Sequence, residues 1–222
     1  MKQIEAVIFD LDGVLIDTAE HHYEAWRNLA TDMGFEFKRE DNERLKGVSR
    51  EESLRILLET GGVEKSEAEK QELAAKKNEA YLKSIQGLTE EDLLPGVRGF
   101  LRELQTFKVP FALGSASRNA SVILDGTGIG SMFTAVVDGN DLQKAKPDPE
   151  VFLKGAEKMG VAPESCVVFE DAQAGIDAAR AAGMRVVAVG SPELLSGADF
   201  YTSNLKDITF AGLKRELGVP SK

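Results

Sequence analysis

The chain has one cysteine, Cys166, so no internal disulfide is possible and stability has to come from a packed core. Cys166 lies beside an apolar run and reads as a small buried hydrophobe. With only two histidines as well, a zinc site is disfavoured. Long apolar runs are missing. The longest, such as 6–9, are strand-sized and far short of the roughly 18 residues that read as a membrane span. The N-terminus enters a strand pattern with no signal-peptide core, and a cytoplasmic location is expected. Positive charge is also scarce: 27 Lys and Arg stand against 37 Asp and Glu, a formal net charge of −10, with no basic stripe to offset it. Nucleic acid is therefore not an expected partner. An anionic substrate would need local cations that overcome this global field.

What is present is an ordinary globular composition, 42% hydrophobic and 29% charged over 222 residues, enough for one or two domains. Residues 4–9 read as a buried strand. From about 19 to 94 the pattern is helical, with no strand signal. Tyr23, Trp26, Ala30 and Met33 form an apolar stripe at helical spacing, with Gly34 as a stop. Ser49-Arg-Glu-Glu52 resembles a capping box, and Ser66-Glu-Ala-Glu69 opens a long charged helix running to about 85. Pro95-Gly96 then punctuates the chain. Beyond it, strands expected at 110–113, 135–137, 167–169 and 185–189 alternate with helices at 96–107, 120–126, 149–159 and 174–182. Such alternation predicts a parallel sheet with helices on both faces. The organisation is an α/β core, 1–17 and 95–222, with a helical domain, 18–94, inserted after its first strand. The two linkers are natural hinges.

In open α/β sheets ligands bind beyond the carboxyl ends of the strands. Strand one is followed by Asp10-Leu-Asp12-Gly13, the next by Ser115-Ala-Ser117-Arg-Asn119, and the fourth by Glu170-Asp171; a loop carries Lys146-Pro147. Each piece has a plain reading by itself. An Asp-Gly makes a turn; Ser115 or Ser117 caps a helix; Lys146 is a solvated charge; Glu170-Asp171 complements a helix N-terminus. Together, carboxylates converging on one rim repel one another and call for a cation, and hard oxygen ligands favour Mg²⁺. A cation, a lysine and hydroxyls suit phosphoryl transfer, with a carboxylate as nucleophile. Asp10 leaves the strand first and suits that role, while Asp12 could move protons. No Walker-type phosphate loop is present, so an ATP-type kinase has no support.

In this order, Asp10-x-Asp12-Gly13-Val14 with Asp17-Thr18, Ser115, Lys146-Pro147 and Glu170-Asp171 resemble the haloacid dehalogenase (HAD) superfamily over essentially the whole chain. The resemblance implies the HAD fold, a Rossmann-like parallel sheet core with an inserted helical cap. It implies Asp10 as nucleophile, Asp12 as general acid/base, Ser115 and Lys146 at the transferring phosphate, and Mg²⁺ held by Asp10, Asp12 (through its backbone carbonyl), Glu170 and Asp171. The helical cap narrows the resemblance to the β-phosphoglucomutase family: residues 42–53, the T-A-E-H-H-Y-E-A-W run over 18–26, Lys76-Lys77-Asn78 and 115–119 are all similar to it. This implies that Arg50, Ser117 and Asn119 hold the non-transferring phosphate, with Gly47 and Val48 shaping the loop and Ala116 offering a backbone N–H to the transferring one. It further implies that His22, Trp26, Lys46, Ser53 and Lys77 line the sugar side and support closure, with Thr18 at the hinge. Taken singly, Trp26 also reads as core packing, His22 and Lys77 as solvated helix residues, and Arg50 as part of a helix start. Arg118 stands where that family often has lysine, so the charge survives on a different geometry.

The implied reaction interconverts β-D-glucose 1-phosphate and β-D-glucose 6-phosphate through an aspartyl-phosphate and β-glucose 1,6-bisphosphate. Two other readings stay open. One is a sugar-phosphate phosphatase with the same core chemistry and a leakier cap; the other is a sensor that binds without turnover. A monomer is expected, because the cap already closes the site and no dimer seam is evident.

Overall fold

A computed structural model describes residues 3–45 and 47–219. Six strands build one all-parallel sheet: β1 Ala6–Phe9, β2 Phe111–Gly114, β3 Ala135–Val137, β4 Cys166–Glu170, β5 Arg185–Val189 and β6 Phe200–Thr202, in the order β3-β2-β1-β4-β5-β6. The period of two along each strand sends Val7, Phe9, Val167 and Phe169 into one apolar cluster and Ala6, Ile8, Cys166 and Val168 into another on the opposite face. Both faces are covered by helices, which is why the strands read as continuous apolar runs. Helices α5 Val97–Thr106 and α6 Ala120–Thr127 contribute to the first cluster; α7 Glu150–Met159 and α8 Gln173–Ala181 contribute to the second. Chain order reverses at β1, whose neighbours are β2 and β4, so the crevice of an open sheet falls at the end of β1, where Asp10 sits.

The segment between β1 and β2 adds helices α1 Ala19–Asp32, α2 Arg39–Asn42, α3 Arg50–Gly61 and α4 Glu67–Ile85. They form the inserted helical cap, with a third apolar cluster that includes Tyr23, Trp26, Leu29, Leu54 and Leu57. The α1 stripe packs as expected, and Gly34 follows the helix with φ +87°. Ser66 makes a complete capping box with Glu69. The box at Ser49 is only half made: Ser49 accepts from the Glu52 N–H at 3.2 Å, but the Glu52 carboxylate turns to Arg55 at 2.7 Å. Cap and core are not separated by solvent throughout, because Ala25, Tyr81 and Ile85 join the core cluster with Leu11, Val14 and Leu15. The two crossing segments run side by side: Leu94 N donates to Leu15 O at 3.0 Å, and Ile16 bridges Leu93 in antiparallel sense. That bridge is a small correction to the reading of 19–94 as free of extended pairing. The short half-buried β6, the four-residue α2 and α9 Phe210–Glu216 were not visible as periodic signals either. Three or four residues are too few to display a period, and the seven of α9 span only two turns.

Candidate active site

Asp10, Lys146 and Glu170 meet below the crevice. Lys146 Nζ donates to the Asp10 carboxylate and, at 3.2 Å, to Glu170 Oε1, and sits 4.9 Å over the Phe152 ring. Lys146 is 3% exposed and Glu170 fully buried, so neither is the solvated charge that each could be alone. Lys146 arrives on the loop between β3 and α7, which Glu150 ties down by accepting from Gln143 N at 3.0 Å and Lys144 N at 2.7 Å. Burial opposes protonation of Lys146, but the Asp10 and Glu170 carboxylates outweigh it and hold the ammonium above its ordinary value. Burial, reinforced by Asp10 and Asp171 and partly offset by Lys146, pushes Glu170 well above the carboxylate range.

Carboxylate oxygens of Asp10, Glu170 and Asp171 lie within 4.8 Å of one another. Two glycines make this convergence possible. A Cβ on Gly13 would fall 2.1 Å from Asp171 Oδ2, and one on Gly175 would fall 1.6 Å from Glu170 Oε1. Three hard oxygen donors around a surplus of negative charge fit a divalent cation. The Asp12 carboxylate stands outside this cluster, where it accepts from the Thr18 hydroxyl. Only the Asp12 backbone carbonyl is left for the ligand role that the resemblance implies.

Asp12 is the second carboxylate of the site. Burial, then the neighbouring Asp10 charge, raises it to about 6, against smaller opposing effects of Thr18, Lys77 and Lys146. Thr18 is fully buried and links core to cap, since the Tyr81 hydroxyl donates to its Oγ1 at 3.4 Å.

The loop after β2 is built from hydroxyl turns. Ser115 Oγ accepts from Ser117 N at 3.1 Å, and Ser117 Oγ accepts from Asn119 N at 3.2 Å. Neither serine caps α6, whose cap position is Asn119 with no side-chain bond, so the capping alternative is corrected. Ala116, Ser117, Arg118 and Asn119 face the cleft.

A cavity of about 470 Å³ lies between this rim and the cap. Asp10, Asp12, Ser115 and Asp171 line it from the core; His22, Trp26, Gly47, Val48, Arg50, Ser53 and Lys77 line it from the cap. Lys146, Glu170 and Thr18 stand one layer behind and act on that surface through Asp10 and Asp12. Lys46 lies outside the described residues. Gly47 has φ +72°, and a Cβ there would be 3.0 Å from the Ala172 Cβ, so the cap loop rests on the segment after Glu170-Asp171. Lys77 is 4% exposed; its Nζ is 2.8 Å from His22 Nδ1 and 4.7 Å over both the Trp26 and Tyr81 rings. Burial, then Arg50, lowers it to about 7, and burial with Lys77 holds His22 well below its ordinary value. The solvated-face reading of Lys77 is therefore corrected, and His22 is half-buried inside the cleft. Trp26, 2% exposed, is both cap core and cavity wall. Arg50 is held below its ordinary value by burial and by Arg118, and makes no ion pair among the described residues.

Sequence reasoning assigned no role to Tyr81, Asn42, Glu51 and Asn78. Asn42 is 9% exposed, lines the cavity, and its Oδ1 has no hydrogen-bond partner among the described residues. Tyr81 lay in a charge-rich helix, and its meeting with Thr18 and His22 depends on α4 crossing α1.

A family described as haloacid dehalogenase-like hydrolase matches residues 4–183. The chain is 46% identical over 215 residues to a β-phosphoglucomutase of Bacillus subtilis (strain 168), covering 96% of this chain and 95% of that protein. It is 35% identical over 184 residues to a phosphorylated carbohydrates phosphatase of Thermotoga maritima, covering 82% of each. A solved β-phosphoglucomutase structure from Clostridium difficile superimposes with TM-score 0.94 at 40% identity, over 97% of this chain and 98% of that one.

Proposed function

This chain belongs to the haloacid dehalogenase-like hydrolase family, and from that premise we propose that it acts as a β-phosphoglucomutase, interconverting β-D-glucose 1-phosphate and β-D-glucose 6-phosphate. The observation that carries the reading is a cavity with cation-rich recognition on both of its walls. Asp10, with Lys146 behind it, faces the cavity from the core, and Arg50, without an ion pair among the described residues, faces it from the cap beside Arg118. A reaction that passes through a bisphosphate needs two phosphate sites at once; phosphate removal needs one.

Phosphorylated Asp10 gives its group to a sugar hydroxyl: the bond from phosphorus to the Asp10 oxygen breaks as the bond to the sugar oxygen forms. Asp12 takes the hydroxyl proton. A side chain near 6 suits this work, since it accepts and returns protons close to neutral pH. The bisphosphate turns end for end, the other phosphoryl group moves to Asp10, and Asp12 returns the proton to the leaving oxygen. Asp10, Glu170 and Asp171, with the Asp12 carbonyl, would hold Mg²⁺, which when bound neutralises charge on the transferring group. Ser115, the Ala116 N–H and Lys146 steady that same group. Arg50, Arg118, Ser117 and Asn119 hold the other phosphate, Arg50 with its planar fork. His22, Trp26, Gly47, Val48, Ser53 and Lys77 close over the sugar, and Lys46 of the same loop would join them. The moving part is 18–94, turning about the paired linkers, with Thr18 at the joint. Closure excludes water, which would otherwise discharge the aspartyl-phosphate. We read the enzyme as a cytoplasmic monomer; among the described residues no helix is long and apolar enough to cross a membrane.

The test supplies β-glucose 1-phosphate, a trace of β-glucose 1,6-bisphosphate and Mg²⁺, and follows glucose 6-phosphate and free phosphate in one tube. Glucose 6-phosphate with little free phosphate, abolished by EDTA and by Asp10→Asn, is the expected result. Mostly free phosphate would move the assignment to a sugar-phosphate phosphatase. Binding without either product would leave a sensor.

A further inference from the structure

Two side-chain bonds join the cap to the core beside the cavity, and they end on consecutive residues of the loop after β2. Arg118 Nη1 is 2.8 Å from Glu51 Oε1, in the first turn of α3. Asn119 Nδ2 donates to Asn78 Oδ1 of α4 at 2.8 Å. We propose that Glu51 and Asn78 are positioning residues: together they latch the cap to the core and hold Arg118 and Asn119 in place for the substrate's non-transferring phosphate. The proposal rests on the mutase reading and assigns roles to two cap residues outside the catalytic set.

The core end of the latch is already rigid. Asn140 Nδ2 donates to Arg118 O at 3.1 Å, Asn119 N donates to Ser117 Oγ at 3.2 Å, and a Cβ on Gly139 would fall 2.4 Å from Ala116 O. What the two bonds add is the position of the cap and the direction of two side chains. A carboxamide nitrogen has two N–H donors. Asn78 takes one from Asn119, which fixes the amide plane and leaves the second for an anion. A guanidinium has five donors in a fixed fork. Glu51 engages one edge of Arg118 and leaves the others.

Glu51 has a second effect, because it follows Arg50 in sequence. Arg50 and Arg118 repel each other, and the Glu51 carboxylate opposes that repulsion at Arg50 as well as pairing Arg118. It is a placeholder anion that keeps two cations together until a phosphate arrives. The Arg118 and Glu51 side chains are 44% and 57% exposed, so the pair contributes little to stability. Its consequence is geometric: how often the cap is closed when phosphorylated Asp10 could meet water.

The experiment compares wild type with Glu51→Gln, Asn78→Leu and the double variant, by glucose 6-phosphate formed against phosphate released, KM for β-glucose 1-phosphate, thermal midpoint, and radius of gyration by small-angle scattering. The double variant is expected to release a share of free phosphate about tenfold larger, with a raised KM, an unchanged midpoint and a larger radius of gyration. Asn78→Asp, which keeps the acceptor oxygen, is expected to release less free phosphate than Asn78→Leu. A double variant with wild-type partition, KM and radius overturns the latch. If wild type makes no glucose 6-phosphate, the mutase reading fails instead. Scattering then decides the latch alone, with equal radii overturning it.

Discussion

Asp10 and Asp12 differ by two residues and by everything around them. Lys146 donates to the Asp10 carboxylate, an arrangement that fits the proposed nucleophile. Asp12 is half-buried beside that charge, and its value, raised to about 6, places its titration close to neutral pH. Below about 6 Asp12 carries its proton and cannot accept another from the sugar. The kcat/KM of the phosphoenzyme is therefore expected to fall about tenfold per pH unit on the acid side. A pH profile checks this, and Asp12→Asn should lose the limb together with most activity.

Lys77 makes the matching argument for stability. Its folded value is about 7 against an ordinary 10.5, so between those values the unfolded chain holds a proton that the folded chain has released. Stability from this group rises with pH across that window, and the burial penalty is full below pH 7. Each tenfold change in proton affinity is about 1.4 kcal/mol, so the penalty is on the order of a few kcal/mol. The stacking of its ammonium on Trp26 and Tyr81 offsets part of it. Lys77→Met is expected to be more stable than wild type at pH 6, with the difference shrinking by pH 10, while activity drops. Urea melts at both pH values measure it.

Elements act here through where they begin. Helix α8 starts just after Glu170-Asp171, and its Gly175 leaves the space that the Glu170 carboxylate fills. Gly175→Ala would put a methyl group inside that carboxylate, so the fully buried Glu170 would have to shift. The change should displace Glu170 from Lys146 and from the acid cluster, lowering activity at least about a hundredfold, since a displacement near 1 Å suffices for that. Mg²⁺ titration calorimetry should show weakened binding in the same variant. Helix α4 depends on a capping box, and Ser66→Ala should cost about 1 kcal/mol with little effect on chemistry, because the box lies far along the chain from Lys77 and is exposed. Denaturant midpoints and turnover of that variant separate the two effects.

At the scale of the whole molecule, the net charge of −10 repels the substrates that the cleft has to attract. The cations that reverse this locally come from both parts: Arg118, with Lys146 behind Asp10, from the core, and Arg50 from the cap. In the proposed mechanism, cap closure would therefore gather positive charge as well as exclude water. Arg50→Ala is expected to depress mutase turnover far more than phosphoenzyme hydrolysis, since water needs no cap phosphate site. Equal losses in the two rates would remove Arg50 from the coupling between closure and phosphate binding.

Read as a string, the chain discloses Asp10, Asp12, Lys146 and Glu170-Asp171 as the candidate nucleophile, proton carrier, lysine and acid pair, because each follows a strand or loop whose own pattern is legible. It also discloses the alternation of strand and helix and the helical insert, because buried parallel strands are apolar throughout and long cap helices show their stripe. It does not disclose β6 or α2, which are too short for a period, or α9, which spans only two turns, nor the half-made box at Ser49, where Arg55 competes for Glu52. Tertiary structure alone decides that Lys77 is buried against Trp26 and His22 rather than solvated, and that Ser115 and Ser117 bond within their loop rather than cap α6. It alone pairs Glu51 with Arg118 and Asn78 with Asn119. Chemistry at the end of one strand is local and is written in neighbouring residues. The cavity between the two layers is made by residues distant in the chain, such as Asn78 and Asn119, 41 positions apart, and only the packing of the cap on the sheet brings them into contact.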